Sequence, residues 1–318
     1  MHALRIVALW FWAYSGVAMA EEGGAGHYFP GSYSSFIDGV PAAPVKLLRL
    51  TAINYSGSVD ADVTVPIAGL AAVDVDVESS AVALTGLWRP DIDLGERWSY
   101  AAAITIPWVD LTVEADVAVP AISQSRSVRR SASESGLGDA LAFPVMVNYK
   151  ASPSLSYNAR LGVYIPTGDY ELGRLANTGK NYWTIEPTVA LMYLSPDNGR
   201  ELSAFFGMTF NTENNDTNYK TGTQAHLDIT AAQHFPLWGG LAGVGASAYW
   251  YEQLSGDSGE GAVYGDFKGQ VRGLGPVLSF SRKLGGHSFT AELKWIQESG
   301  ARLRPEGDSI FLKAVYSF

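Results

Sequence analysis

Ile310-Phe311-Leu312-Lys313-Ala314-Val315-Tyr316-Ser317-Phe318 is the stretch that decides the fold. Read back from Phe318, every second residue is apolar or aromatic: Phe318, Tyr316, Ala314, Leu312, Ile310. The set between them includes Lys313 and Ser317. Successive side chains of a strand point to opposite faces, so this is a β-strand with one greasy and one mixed face. Such a strand fits the edge of a soluble sandwich or the wall of a barrel in a membrane, and the rest of the chain separates the two.

The same alternation recurs upstream. In 181–194, Trp183, Ile185, Pro187, Val189, Leu191 and Tyr193 oppose Tyr182, Thr184, Glu186, Thr188 and Ala190. In 155–166, Leu155, Tyr157, Ala159, Leu161, Val163 and Ile165 oppose Ser156, Asn158, Arg160, Gly162 and Tyr164. Stretches 222–235 and 287–296 repeat the pattern, with Leu227, Ile229, Leu293 and Trp295 against His226, Asp228, Glu292 and Lys294. Strands are predicted at 47–55, 80–89, 97–109, 139–150, 155–166, 181–194, 202–211, 222–235, 240–252, 268–282, 287–299 and 309–318. Short turns rich in Pro, Gly, Asp and Asn alternate with long connections at 56–79, 110–138, 167–180, 212–221, 253–267 and 300–308. That alternation puts every long loop on one side and requires an even strand count. It is the layout of outer-membrane barrels, with short periplasmic turns and long extracellular loops.

The large aromatics decide between sandwich and barrel. Trp88, Trp98, Tyr149, Tyr157, Tyr193, Tyr316 and Phe318 fall at the short-turn ends of their strands, and Trp108, Trp183, Trp250 and Trp295 at the long-loop ends. All share the apolar parity, whose middle positions are mostly aliphatic. Two aromatic girdles around an aliphatic band suit an outward surface in lipid, because amphipathic rings settle at headgroup level. A sandwich core would scatter its rings. The expected fold is all-β: a single antiparallel up-and-down transmembrane β-barrel of about 12 strands.

Composition agrees. Charged residues make up 17% and aromatics 12% of the 318 residues, with 34 glycines, which suits short turns and a surface partly in lipid. Residues 1–20 read as a secretory leader: Arg5, an apolar run Ile6 to Val17, then Ala18-Met19-Ala20 before Glu21. The run is too short for a membrane-spanning helix, and no later stretch is apolar over spanning length, so residence in a membrane requires a closed barrel. The chain has no cysteine, so no disulfide supports the exported fold. A net charge of −10 argues against nucleic acid as a partner. Residues 21–46, rich in Gly, Pro, Ser and aromatics and without a period, fit either a periplasmic lead-in or a plug in the lumen. Residues 47–318 form the barrel.

The final strand looks like the C-terminal strand of bacterial outer-membrane barrels, whose closing aromatic, here Phe318, is read by the barrel-assembly machinery. Ordered motifs carry a second resemblance: Gly26-His27-Tyr28-Phe29-Pro30-Gly31, Gly136-Leu137-Gly138-Asp139, Pro166-Thr167-Gly168-Asp169-Tyr170, Asn181-Tyr182-Trp183-Thr184-Ile185-Glu186-Pro187, Asn211-Thr212-Glu213-Asn214, Thr217-Asn218-Tyr219-Lys220-Thr221-Gly222, Tyr251-Glu252-Gln253-Leu254, Asp257-Ser258-Gly259 and Gly273-Leu274-Gly275-Pro276. With them the chain resembles the meta-pathway phenol-degradation family of outer-membrane barrels. The resemblance implies a channel for small aromatic or apolar molecules, with outer-membrane lipid around it, no cofactor and no agreed catalytic residues.

Two groups of candidate residues follow. The polar parity predicts a lumen lined by Arg49, Asn158, Arg160, Glu186, His226, Asp228, Glu292, Lys294 and Lys313, as a selectivity network or as packed ion pairs. The motif ends predict an extracellular mouth at Asp169, Tyr170, Asn211, Glu213, Asn214, Tyr219, Gln253 and Asp257. These residues fit ligand capture, and they equally fit turn architecture. His226 and Asp228 share a face, as a base and its partner would. Yet Ser203 and Thr209 nearby carry no nucleophile signature, so no catalytic role is assigned. Nothing has metal-ligand spacing. Asp60, Asp62, Asp74, Asp76 and Glu78 suggest either a solvated acidic loop or carboxylates bridged by calcium. The competing functions are a plugged structural or binding barrel, acting as anchor or adhesin, and an outer-membrane hydrolase.

Overall fold

The computed structural model describes residues 25–59, 61–118, 127–263 and 268–318; the predicted leader and Asp60 lie outside them. In chain order the strands are β1 (Val45–Val59), β2 (Val65–Ile67), β3 (Leu70–Arg89), β4 (Trp98–Ala118), β5 (Ser127–Leu137), β6 (Ala140–Lys150) and β7 (Leu155–Ile165). They continue as β8 (Thr184–Leu194), β9 (Arg200–Asn211), β10 (Gln224–Leu237), β11 (Gly240–Gln253), β12 (Gln270–Leu284), β13 (His287–Arg302) and β14 (Glu306–Ser317). All fourteen belong to one antiparallel sheet, which closes through the β3–β4 pairing. Setting aside β2 and β5, which pair only with the far ends of β3 and β4, twelve strands form the barrel. Closure pairs every barrel strand on both sides, the condition for a sheet to survive in hydrocarbon. Each of the twelve coincides with a stretch predicted from periodicity.

The barrel is inside out relative to a soluble protein. Leu48, Leu84, Ile104, Val189, Phe206, Leu293 and Leu312 are exposed, whereas Arg160, Glu186, His226, Asp228, Glu292, Lys294 and Lys313 are buried. Trp98 and Trp108 mark the two girdles on β4 and are both about half exposed. Ten residues at about 3.4 Å per residue, tilted some 40°, span about 25 Å, the height of an outer-membrane apolar band.

Two predicted long loops are instead largely strand. β1, β3, β4 and β5 continue past the girdle as a sheet outside the bilayer, with β2 folded on β3. The chemistry of the faces inverts where lipid ends. On β4 the outward series Ile104, Ile106, Trp108 gives way to Asp110, Thr112, Glu114, Asp116, while the inward series becomes Val113, Ala115, Val117. On β3 the outward Val82 and Leu84 give way to Ser80 and Glu78. Val59, Val65, Ile67, Ala72, Val75 and these β4 valines then pack as an ordinary dry core under Leu175 and Ala176 of the 167–180 loop. Of the expected acidic loop, Asp74, Asp76 and Glu78 are instead on the outward face of β3, and Asp62 lies in the turn before β2. The carboxylates Asp74 and Asp76, with Glu114, surround Arg129 on β5, which takes the place a bridging cation would fill.

β6 carries the irregularity that matters most for the interior. Its register with β7 shifts between Ala142 and Val145, around Pro144, which has no N–H for the ladder. A bulge of this kind re-aims side chains. Phe143 before it and Met146 after it, three residues apart, are both buried on the lumen side.

Candidate functional site

The lumen is divided. One half holds residues 25–44, which enter from the long-loop rim and run to a short 3-10 helix, Phe36–Asp38. At the rim His27 Nε2 lies 2.8 Å from Asp139 and Nδ1 lies 2.7 Å from Thr184 Oγ1. Deeper, the Tyr28 hydroxyl donates to Asp228 at 2.5 Å, and its ring stacks on His226 with centroids 3.6 Å apart. The Tyr33 hydroxyl donates to Glu186 at 2.9 Å and its ring stacks on Phe205. The Ser35 hydroxyl donates to Glu292, and the Phe36 N–H to Glu201 at 2.7 Å. Lys294 donates to the carbonyls of Gly31 and Tyr33, and Lys313 to that of Ser32. At the short-turn end Asp38 is held by Arg49 and Lys313, each at 2.5 Å, while Arg160 donates to its carbonyl at 3.0 Å.

Of the nine residues expected in the lumen, Asn158, Arg160, Glu186, His226, Asp228, Glu292, Lys294 and Lys313 are buried, and Arg49 lines the space beside Asp38. Eight of the nine touch the segment, and Asn158 reaches it through Arg160, whose Nε donates to it at 2.6 Å. Beside contacts among themselves, such as His226 with Asp228, they are thus held by this stretch of chain, which for all but Arg49 lies more than 120 residues away in sequence. Glu292 and Lys313 sit opposite each other in the β13–β14 register, yet Lys313 pairs with Asp38 and Glu292 accepts from Ser35. A buried carboxylate or ammonium needs such partners, since an unpaired one is costly out of water. Burial alone would raise the Asp38 carboxyl; Lys313 and Arg49 beside it hold it below its ordinary 3.8. His226 is sealed beneath Tyr28, with Asp228 at 3.2 Å and Glu186 at 3.5 Å, the latter a charge contact rather than a hydrogen bond. Ser203 and Thr209 bond instead to Glu201 and Gln224.

The other half of the lumen, along the inner faces of β3, β4 and β6, is open in stages. On the extracellular side lies an apolar cavity of about 380 Å³, between Tyr28 and Phe29 of the segment and Ala81, Ala83, Thr105 and Pro107 of the wall. One rung further down, at Thr85, Ala103, Phe143 and Met146 facing Tyr33, Arg49 and Arg160, a separate space of about 30 Å³ is the narrow point. That is room for about one water. Beyond it a periplasmic bowl of about 970 Å³ opens, with Ile37, Gly39 and Leu47 common to both. The small wall residues keep the upper space free, and the β6 bulge sets the narrow point by turning Phe143 and Met146 inward together.

The predicted mouth residues divide. Asp169 and Glu213 are exposed, and Tyr170 lines the apolar cavity. Asn211, Asn214, Tyr219 and Gln253 are buried, and with Asp257 they tie loops together. Tyr219 and Gln253 donate to Asp257, Asn181 donates to Asn214, and Asn211 donates to the Gly222 carbonyl. Their surroundings are those of turn architecture. Sequence reading missed Tyr33, Ser35 and Asp38 as partners, and Thr85, Ala103, Phe143 and Met146 as the narrow point. The one advance sign of the latter was Phe143-Pro144 inside a strand pattern.

A family model described as "Putative MetA-pathway of phenol degradation" matches residues 57–314. The COG4313 outer membrane channel from Pseudomonas putida F1 is similar in structure at 13% identity and a TM-score of 0.65, over 92% of this chain and 100% of that one. The β domain of the Bordetella autotransporter BrkA (13% identity, TM-score 0.46, 87% and 100% covered) and a Pseudomonas aeruginosa FadL homologue (9%, 0.45, 95% and 98%) are more distant. Among curated proteins none matches the chain. The closed twelve-stranded architecture is that of bacterial outer-membrane proteins.

Proposed function

Because the chain belongs to the family described by phenol degradation, in the bacterial outer membrane, we propose that it is a channel for small apolar or aromatic solutes, which cross by passive diffusion along the β3–β4–β6 wall. The observation that carries this reading is the succession of apolar cavity, narrow point and bowl on one side of the lumen. The upper cavity matches a small-molecule site, concave, mostly apolar and with few polar groups. A solute leaving it meets Phe143 and Met146, and passes when those side chains or the segment beside them give way. No covalent step is needed.

The segment's dense bonding favours a second reading, a barrel closed by residues 25–44 that serves as an anchor or binding protein. Uptake separates the two. A deletion strain complemented with the wild-type gene should take up phenol-like solutes faster than the empty strain. Thr85→Trp, which puts an indole into the narrow point, should abolish the gain while heat-modifiable migration shows the barrel folded. Uptake that is identical in all three strains would leave the closed-barrel reading.

A further inference from the structure

Along this route the charge is uneven. Among its side chains the bowl is lined by Arg89, Arg97, Lys150 and Lys283 against Glu96, four cations to one anion, in a protein of net charge −10. The narrow point adds Arg49 and Arg160 against Asp38. Among the described residues, no carboxylate oxygen lies within 4.0 Å of a side-chain nitrogen of Arg89, Arg97, Lys150, Lys283 or Arg160. Arg89 also keeps Nε and Nη1 buried without an acceptor, and Arg49 its Nε. Two arginines above the girdle are treated differently: Arg129 and Arg174 are each surrounded by three carboxylates. Below the narrow point, among the described residues, Arg89, Arg97, Lys150 and Lys283 stand without a carboxylate partner, while at the narrow point Arg49 is paired with Asp38 and Arg160 is not paired with a carboxylate.

Building on the channel reading, we propose that the preferred solute is a small aromatic or apolar body bearing one carboxylate. The ring fits the apolar cavity, whose lining charges balance, with Asp139 and Glu298 against Lys180 and Arg304. The carboxylate leads into the narrow point, where Arg160 is seated against the Phe143 ring, its guanidinium carbon 6.0 Å from the centroid. A planar guanidinium beside an aromatic face suits a flat ring with an attached carboxylate. The bowl then draws the anion onward, since a cleft lined by one sign of charge concentrates the opposite sign.

Planar bilayers holding the full-length protein test this. Reversal potentials are measured under a gradient of sodium benzoate and, separately, of benzylammonium chloride. At low salt the benzoate permeability should exceed that of benzylammonium by about tenfold. The ratio should fall toward one at 1 M salt, where screening shortens to about 3 Å. Arg160→Gln should lower the ratio. Because that side chain is buried, the triple variant Arg89→Gln, Lys150→Gln, Lys283→Gln tests the bowl without disturbing the packed interior. Lys46→Gln, on the outer face, should leave the ratio unchanged. Conductance with equal or greater passage of benzylammonium, or a ratio untouched by the triple variant, overturns the anion assignment alone. Absence of any protein-dependent conductance overturns the channel reading and this inference with it.

Discussion

Tyr28 shows at residue scale how the lumen is held together. Its hydroxyl satisfies Asp228 Oδ2, and Asp228 Oδ1 is already without a partner. Tyr28→Phe keeps the stack on His226 and removes two bonds, the one to a buried carboxylate and the one accepted from the Gly31 N–H, a loss of about 1–3 kcal/mol. That corresponds to about a 5- to 150-fold shift between docked and released segment. The chain has no cysteine, so Ser34→Cys, at a fully buried position of the same segment, gives a single thiol whose maleimide labelling rate reports release. Labelling should speed up within that range when Tyr28→Phe is added, and an unchanged rate would mean that these bonds do not hold the segment. Period-two alternation was enough to place Arg160, Glu186, His226, Asp228 and Lys294 inside. It could not name their partners, because Gly26 to Pro44 has no period, and its tyrosines acquire a meaning only once the barrel brings distant strands around them.

At the scale of elements, the segment is fastened at both ends by carboxylates, and its Asp38 anchor has a definite pH signature. Asp38 lies below its ordinary 3.8 when docked beside Lys313 and Arg49. A carboxyl lowered on docking stabilises the docked state above its undocked value, and that contribution disappears as pH falls through the docked value. Conductance should therefore stay flat from neutral pH to about 5 and rise only below 3.8. Asp38→Asn should give the open level at every pH. Opening that instead sets in as pH falls below 6.5, the ordinary value for histidine, would move control to His27 at the rim, which burial lowers when docked. The extended β3–β4 sheet was legible in principle, since Val73-Asp74-Val75-Asp76-Val77-Glu78 alternates cleanly. Its apolar set continues the lumen parity rather than the lipid parity, so the alternation does not by itself distinguish a strand outside the bilayer from a long connection. The β6 bulge was not legible: a one-residue insertion flips parity, and the sequence shows only Pro144.

For the whole molecule, the decisive property is that one strand parity changes its solvent partway along. Ile104 and Thr112 lie on the same outward face of β4, on either side of Trp108. If the girdle is where the bilayer ends, the same substitution must have opposite consequences at the two positions. Ile104→Arg, near the middle of the band, should destabilise the barrel by about 2–4 kcal/mol, the cost of a guanidinium at the midplane. Thr112→Arg, in water beside Ser133, should stay within about 0.5 kcal/mol. Urea unfolding in lipid vesicles, followed by the heat-modifiable gel shift, measures both. The arrangement of faces admits one further check: in detergent micelles, where the apolar belt is thinner and deformable, the gap between the two variants should narrow while their order is kept. Equal costs at the two sites would place Leu84, Ile104 and Leu293 against something other than acyl chains. They would also remove the reason for a buried interior polar enough to need Tyr28, Tyr33 and Asp38 inside it.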